Sequence, residues 1–316
     1  MAFDVIGVHG PGAEDVLVGL SGRDEGAVFT GTADGRIHRV SADGARVETV
    51  ADTGGRPLGL EWLPDGRLLV CDAHRGLLAV DLARADVHGQ GVEVLATDAG
   101  GRRMVFCNNA AVGSDGSVWF SDSSALHGID AWKADIVEDT RTGRLLRRTP
   151  DGSVQVVLEG LAFANGVALA VDESWVAVAE TAARTVARHW LTGPRAGQRD
   201  LLLADLPGYP DNIARGSDGL LWVTIASPRD PLVEKLQTGP MWLRRNVTRM
   251  PAALQPAPKR TIRVQAYDDA GRLVRDVRLE RPDDRARYHV VTGVREHDGT
   301  VWMGSLEEPA VARYDL

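Results

Sequence analysis

Five residues with oxygen-bearing side chains stand at the heads of short apolar runs in this 316-residue chain: Glu14, Asn108, Asn165, Asp211 and Asn212. Asn and Asp often open strands after turns, because their side chains hydrogen-bond the nearby backbone. One such residue would mean no more than that. Four equivalent units presenting carboxylate or amide oxygens towards one axis mean more. Two carboxylates with neutral amide carbonyls form a hard, all-oxygen donor set. That set suits Ca²⁺, which takes roughly six to eight oxygens in a flexible shell, with Mg²⁺ and Mn²⁺ as the other candidates. Zinc would call for His or Cys, and neither recurs at these positions. A divalent cation with open positions polarises a carbonyl or phosphoryl oxygen.

Other residues are candidates for proton transfer. Asp211 is read first as a ligand, and second as a ligand that also activates water or attacks directly. His74, His127 and His289 are base candidates, since imidazole titrates near neutrality. His74 follows Asp72-Ala73, His127 lies beyond SDSSAL and His289 precedes VVTGV. Taken singly, each reads first as a packing or loop histidine and only second as a base. Ser123 and Ser124 lack a G-x-S-x-G elbow, so a serine nucleophile is not expected.

The elements that must position these groups repeat along the chain. An apolar strand, a tight turn and a second apolar strand recur from Ala13, Leu58, Asn108, Asn165, Asp211 and Thr292, giving six copies. Asp-Gly between alternating apolar runs is a strong hairpin signal, because glycine takes positive φ without steric cost. A lone blade cannot bury both faces, whereas six packed radially can. The expected fold class is therefore all-β: a six-bladed β-propeller over residues 1–316, with a short helical insertion between blades 5 and 6. The terminal VARYDL is expected to pair near the N-terminus and close the ring. Trp62, Trp119, Trp175, Trp222 and Trp302 read as packing between blades.

Positions Glu14, Gly59, Asn108, Asn165, Asp211 and Thr292, taken as equivalent, are 45, 49, 57, 46 and 81 residues apart. The last excess sits in 229–260, where Leu243, Val247 and Met250 share a helical face, with Pro240 before and Pro251 after. This insertion is read as a lid over the channel mouth, against the alternative of a strut on the rim.

Net charge is −8, which argues against a nucleic-acid partner. No stretch is long and apolar enough for a membrane span, and the N-terminus lacks the pattern of a signal peptide. A cytoplasmic chain with two reduced thiols, Cys71 and Cys107, is expected, although spacing does not decide whether they pair. Sequence gives no oligomeric state.

The motifs GAEDV at 12–16, FCNNAAVGSDGSVWFSDSS at 106–124, FANGVAL at 163–169 and LPGYPDNIARGSDGLLWV at 206–223 carry a resemblance. The chain resembles the calcium-dependent propellers of the strictosidine-synthase-like, gluconolactonase and paraoxonase group, and most of all the bacterial strictosidine-synthase-like branch. The resemblance implies a catalytic calcium held by Glu14, Asn108, Asn165, Asp211 and Asn212, and hydrolysis of a small-molecule lactone or ester. In paraoxonases, residues matching Asp15 and Asn109 help hold a second calcium. The acidic residue expected at the latter position is Asn here, so the resemblance does not carry that site over. Strictosidine synthase condenses an amine with an aldehyde through a glutamate whose place Thr292 takes, so that chemistry is not expected. The alternative from another class is a metal-stabilised binding propeller without turnover.

Overall fold

Asp-Gly turns fold as their chemistry dictates. Gly66, Gly116 and Gly219 take φ of +83°, +79° and +77°. The preceding aspartates accept the N–H of Arg67, Ser117 and Leu220 at 3.1, 2.8 and 3.0 Å, which locks each hairpin. In the computed structural model, which describes residues 3–20, 22–251 and 254–316, these hairpins build six four-stranded antiparallel sheets. Blade 1 comprises Leu17–Val18, Val28–Gly31, Arg36–Val40 and Val47–Asp52, and blade 2 comprises Pro57–Trp62, Leu68–Asp72, Gly76–Val80 and Val92–Ala96. Blade 3 runs Cys107–Val112, Val118–Asp122, Gly143–Arg148 and Val154–Leu161. Blade 4 runs Ala164–Leu169, Trp175–Glu180, Thr185–Trp190 and Arg199–Leu203. Blade 5 has Gly208–Arg215, Leu221–Pro228, Arg263–Tyr267 and Leu273–Arg278. Blade 6 has Val291–His297, Thr300–Ser305 and Ala310–Asp315, completed by Phe3–Gly7. The two ends of the chain pair from Phe3↔Tyr314 to Gly7↔Ala310, closing the ring as expected.

The core lies between blades. Trp175, Ala177 and Ala179 of blade 4 pack on Ile213, Leu221 and Val223 of blade 5. Trp119, Trp175, Trp222 and Trp302 lie in second strands and are buried. Trp62 instead ends the inner strand of blade 2, edge-on to Phe29 of blade 1 at 5.3 Å, its indole donating to the Val18 carbonyl at 2.9 Å. Cys71 and Cys107, one from each side of the blade 2–blade 3 interface, are buried free thiols.

Among the described residues four short α-helices decorate the ring: α1 (Trp132–Glu138), α2 (Pro231–Thr238), α3 (Met241–Thr248) and α4 (Pro282–Arg287). The 229–260 insertion lies inside blade 5, between its second and third strands, because two further strands of that blade follow it. Its described residues contain two helices where one was expected. The expected stripe is not its anchor, since Leu243 of α3 and Met250, just beyond that helix, are 37% and 41% exposed. Anchoring comes from Val233 and Leu236 of α2, both buried, and from polar ties to α1: Arg244 Nη1 donates to Glu138 O at 2.7 Å, and Gln237 Nε2 to Ile136 O at 2.8 Å. Helix α1 fills the same connection in blade 3. Strands alternate in direction, so these second-to-third connections emerge on the face where the inner strands begin.

Candidate metal and substrate site

Each inner strand of blades 2 to 6 carries an irregularity at its start. Register skips two residues between Pro57 and Leu60, Cys107 and Ala110, Ala164 and Val167, Pro210 and Ile213, and Val291 and Val294. Bulges of this kind re-aim side chains, and here the skipped pairs are the residues that face the axis. The first members form the mouth ring: Leu58, Asn108, Asn165, Asp211 and Thr292, with Glu14 from blade 1. The second members lie one residue deeper: Gly59, Asn109, Gly166, Asn212 and Gly293, with Asp15. Gly59 therefore stands one residue out of step with the other positions aligned to it. The mouth position of blade 2 is Leu58, an apolar residue that no donor pattern marks.

Four of the five expected ligands belong to the mouth ring, and the structure brings the fifth to them. Asn212 Nδ2 reaches up to Glu14, 3.3 Å from Oε1 and 3.4 Å from Oε2. Asn108 Nδ2 donates to Ser123 Oγ at 2.8 Å, and Asn165 Nδ2 to Thr181 Oγ1 at 3.2 Å. The amide nitrogens are thus tied down while the carbonyl oxygens are not: Oδ1 of Asn108, Asn165 and Asn212 are all buried without a hydrogen-bond partner. Buried acceptors left unpaired cost about 1–3 kcal/mol each, so three at one place indicate a missing electropositive group. The carboxylates agree. Burial, then the charges of Asp211 and Asp15, push Glu14 well above the usual carboxylate range. Burial pushes Asp211 up to about 7, against a hydrogen bond from Asn165. A cation among these oxygens would relieve both strains. Among the described residues, no group of three or more His, Cys, Asp or Glu has metal-holding geometry, in keeping with a donor set rich in amides. The residues present fit a hard, oxygen-seeking divalent ion.

The deeper ring uses the same residue types differently. Asp15 Oδ2 accepts the Leu60 N–H at 3.0 Å, and Asn109 Oδ1 accepts the Val167 N–H at 3.0 Å. These side chains stitch blade 1 to blade 2 and blade 3 to blade 4, so their oxygens are already engaged. Glycines alternate with them because a neighbour crosses there. A Cβ on Gly59 would lie 2.6 Å from Asn109 Cα, one on Gly166 2.6 Å from Asn212 Cα, and one on Gly293 2.6 Å from Asp15 Cα.

Above the mouth ring opens a cavity of about 860 Å³, solvent at its mouth included. Its floor holds Glu14, Asn108, Asn165, Asp211 and Thr292. Its walls are apolar, with Leu58, Phe106, Phe163 and Tyr209 among them, and its roof includes Trp132, Lys133, Val233 and the segment 256–258. The three candidate histidines do not line it. His74 is exposed and 4.0 Å from Asp130, His127 is 3.5 Å from Glu138, and His289 is held between Glu307 at 3.0 Å and Glu308 at 2.5 Å. Thr292 Oγ1 donates to the Glu14 carbonyl at 2.8 Å. Ser123 has both hydrogen-bonding directions in use, accepting from Asn108 and donating to the Ala164 carbonyl at 2.7 Å.

Sequence reasoning missed a set of positioning residues. Asp72, Asp122 and Glu180 end the second strands of blades 2 to 4, and each accepts a backbone N–H just ahead of the neighbouring inner strand. The donors are Arg56 at 3.0 Å, Phe106 at 2.8 Å and Ala162 at 3.0 Å. The signal was present as an acidic residue at the same point of three repeats, in VCDAH, FSDSS and VAETA.

Comparison with known proteins agrees with this architecture. Human adipocyte plasma membrane-associated protein is 32% identical over 311 residues, spanning 92% of this chain and 73% of the relative. Arabidopsis thaliana strictosidine synthase-like 10 is 35% identical over 273 residues, spanning 83% and 70%. Among solved structures, a gluconolactonase from Xanthomonas campestris superposes with a TM-score of 0.69 at 16% identity, over 99% of this chain and 89% of that one. Regucalcin from Agrobacterium tumefaciens, a calcium-binding protein, gives 0.63 at 11% identity, over 98% and 94%. These two show the fold. Residues 21–234 match the model of the SMP-30/gluconolactonase/LRE-like region, and with the two curated relatives this places the chain in that propeller family.

Proposed function

We propose that the protein is a calcium-dependent hydrolase of lactones or esters acting at the mouth ring. The observation that carries this reading is the trio of buried, unpartnered amide oxygens of Asn108, Asn165 and Asn212 beside Glu14 and Asp211. A calcium ion held by those five residues would supply polarisation of an ester carbonyl and charge stabilisation of the oxyanion. Glu14 and Asp211 supply the counter-charge, and Ser123 and Thr181 hold two of the amides in orientation. Asp211 alone of the five keeps partial exposure, so it is the group placed to orient attacking water. The apolar walls seat the substrate body, and the roof formed by α1 and residues 229–260 acts as a lid that limits water. With Thr292 in the mouth ring of blade 6, no carboxylate is placed there to take an amine proton, so condensation chemistry gains no support.

No described helix is long and apolar enough to cross a membrane. The two free thiols fit a reducing compartment, and the cytoplasm is the location we propose. The test is turnover of aryl esters and γ- or δ-lactones with calcium-loaded and chelated protein, alongside calcium titration of the wild type and Asn165→Ala. Calcium binding of about one ion per chain, with turnover lost on chelation and in the variant, is the expected result. Binding without any turnover would leave a metal-stabilised binding propeller. No binding would remove the metal mechanism.

A further inference from the structure

The charge of the roof runs against the charge of the protein. Residues 229–260 contain seven Lys or Arg and two Asp or Glu, a net +5 within a chain of −8. All three lysines of the chain, at 133, 235 and 259, lie in the roof-forming segments, although Arg outnumbers Lys 33 to 3 in the whole chain. Three roof arginines are already committed, Arg245 among them at 3.7 Å from Glu138. Arg229 pairs with Glu234 at 2.8 Å and Asp205 at 3.0 Å, and Arg244 binds the carbonyls of Glu138 and Gly239. Lys133 is different. It lines the cavity and is half-buried, and among the described residues no carboxylate lies within ion-pair distance of it. Its ammonium instead sits 5.5 Å from the centre of the Trp132 ring. A π face orients a cation but brings no counter-charge. The other charged wall residue, Asp230, is engaged at the start of α2, where its Oδ1 accepts the Leu232 N–H at 2.8 Å and the Val233 N–H at 3.4 Å. The floor carboxylates belong to the proposed ion.

We infer that the cavity selects substrates whose apolar body ends in an anionic group, and that Lys133 is the counter-ion that receives it. The inference rests on the hydrolase reading only for the word substrate. The geometry assigns an anion subsite at the roof whether or not turnover follows. The apolar walls between floor and roof take the body of the molecule, with its ester or lactone at the floor and its negative end under α1. The basic insertion raises the local concentration of such anions at a protein that otherwise repels them. A charge-assisted hydrogen bond in this half-buried setting is worth roughly a tenfold gain in affinity.

The test uses calcium-loaded full-length protein and calorimetric titration with hexane-1-sulfonate, an apolar tail with a weakly calcium-binding anionic head, against hexan-1-ol. Wild type should bind the sulfonate at least about tenfold more tightly, with an affinity that falls as salt rises. Lys133→Met should abolish that preference, and Lys133→Arg should keep most of it. Equal binding of the two probes by wild type, or an intact preference in Lys133→Met, overturns the inference. So does a preference lost in an Arg245→Gln, Arg249→Gln double variant but kept in Lys133→Met, which would put the anion on the outer surface. In parallel, kcat/KM is compared for phenyl hydrogen adipate and phenyl hexanoate. If neither is hydrolysed the hydrolase reading fails, while the sulfonate result still decides the role of Lys133.

Discussion

Two rings of residues face the axis of this propeller one residue apart, and matched side chains in them use their oxygens in opposite ways. In the deeper ring, Asp15 and Asn109 spend their oxygens on the N–H groups of Leu60 and Val167 in the next blade. In the mouth ring, Asn108 and Asn165 have their nitrogens tied and their oxygens unpaired. Residue type does not distinguish a binding site from a structural stitch; the accounting of partners does. A deep Asn whose acceptor is satisfied holds blades together. One whose acceptor is orphaned, Asn212 of the deeper ring included, is open to a ligand.

The contrast breaks most sharply at Asp211. Asp211→Ala should lower kcat/KM by on the order of a thousandfold and abolish tight calcium binding, with little change in the urea midpoint. An unfolded variant would mean that the mouth ring is structural too. Next comes Gly166→Ala, whose methyl would meet the Asn212 backbone. Overlap with backbone should cost roughly 1–3 kcal/mol or more, read as a lower midpoint at unchanged slope. Asn109→Ala orphans the Val167 N–H and should cost roughly 1–3 kcal/mol of stability, while calcium affinity measured on the folded protein stays within about twofold. A large loss of calcium affinity there would erase the distinction between the rings. The smallest effect is expected from Ser123→Ala, which frees the Asn108 amide to rotate. Calcium affinity should weaken by about tenfold, in line with one lost buried hydrogen bond, and activity should recover at high calcium. Inactivity at saturating calcium would point to a role for the hydroxyl beyond orientation.

The hairpins and the donor residues were legible in the sequence because both are local: Asp-Gly turns declare themselves, and Asn108, Asn165 and Asp211 head their strands. The register at blade 2 was not, since a bulge adds a residue silently and Leu58 carries no polar mark. Helix α2 announces itself through Asp230 and Pro231, a capping residue followed by a first-turn proline, yet the apolar stripe of α3 drew the reading instead. Helix α1 has seven residues and no side-chain cap at Ala131. Its existence depends on tertiary packing against the blade 5 insertion, which no local pattern encodes. The histidines show the same limit. Proximity to a strand end does not say which way an imidazole points, and carboxylate neighbours at Glu138, Glu307 and Glu308 lie far away in sequence or on another turn.

The alternation in the deeper ring has an arithmetic consequence. Going round the axis the residues read Asp15, Gly59, Asn109, Gly166, Asn212, Gly293, so every bulky member has a glycine on each side. Such a circle has parity. Deleting one blade would set two long side chains against each other or leave two glycines facing across a void, and inserting one would do the same. Any attempt to resize this ring should therefore work in units of two blades: an excised pair leaves the sequence of large and small unbroken at the seam, whereas an excised single does not.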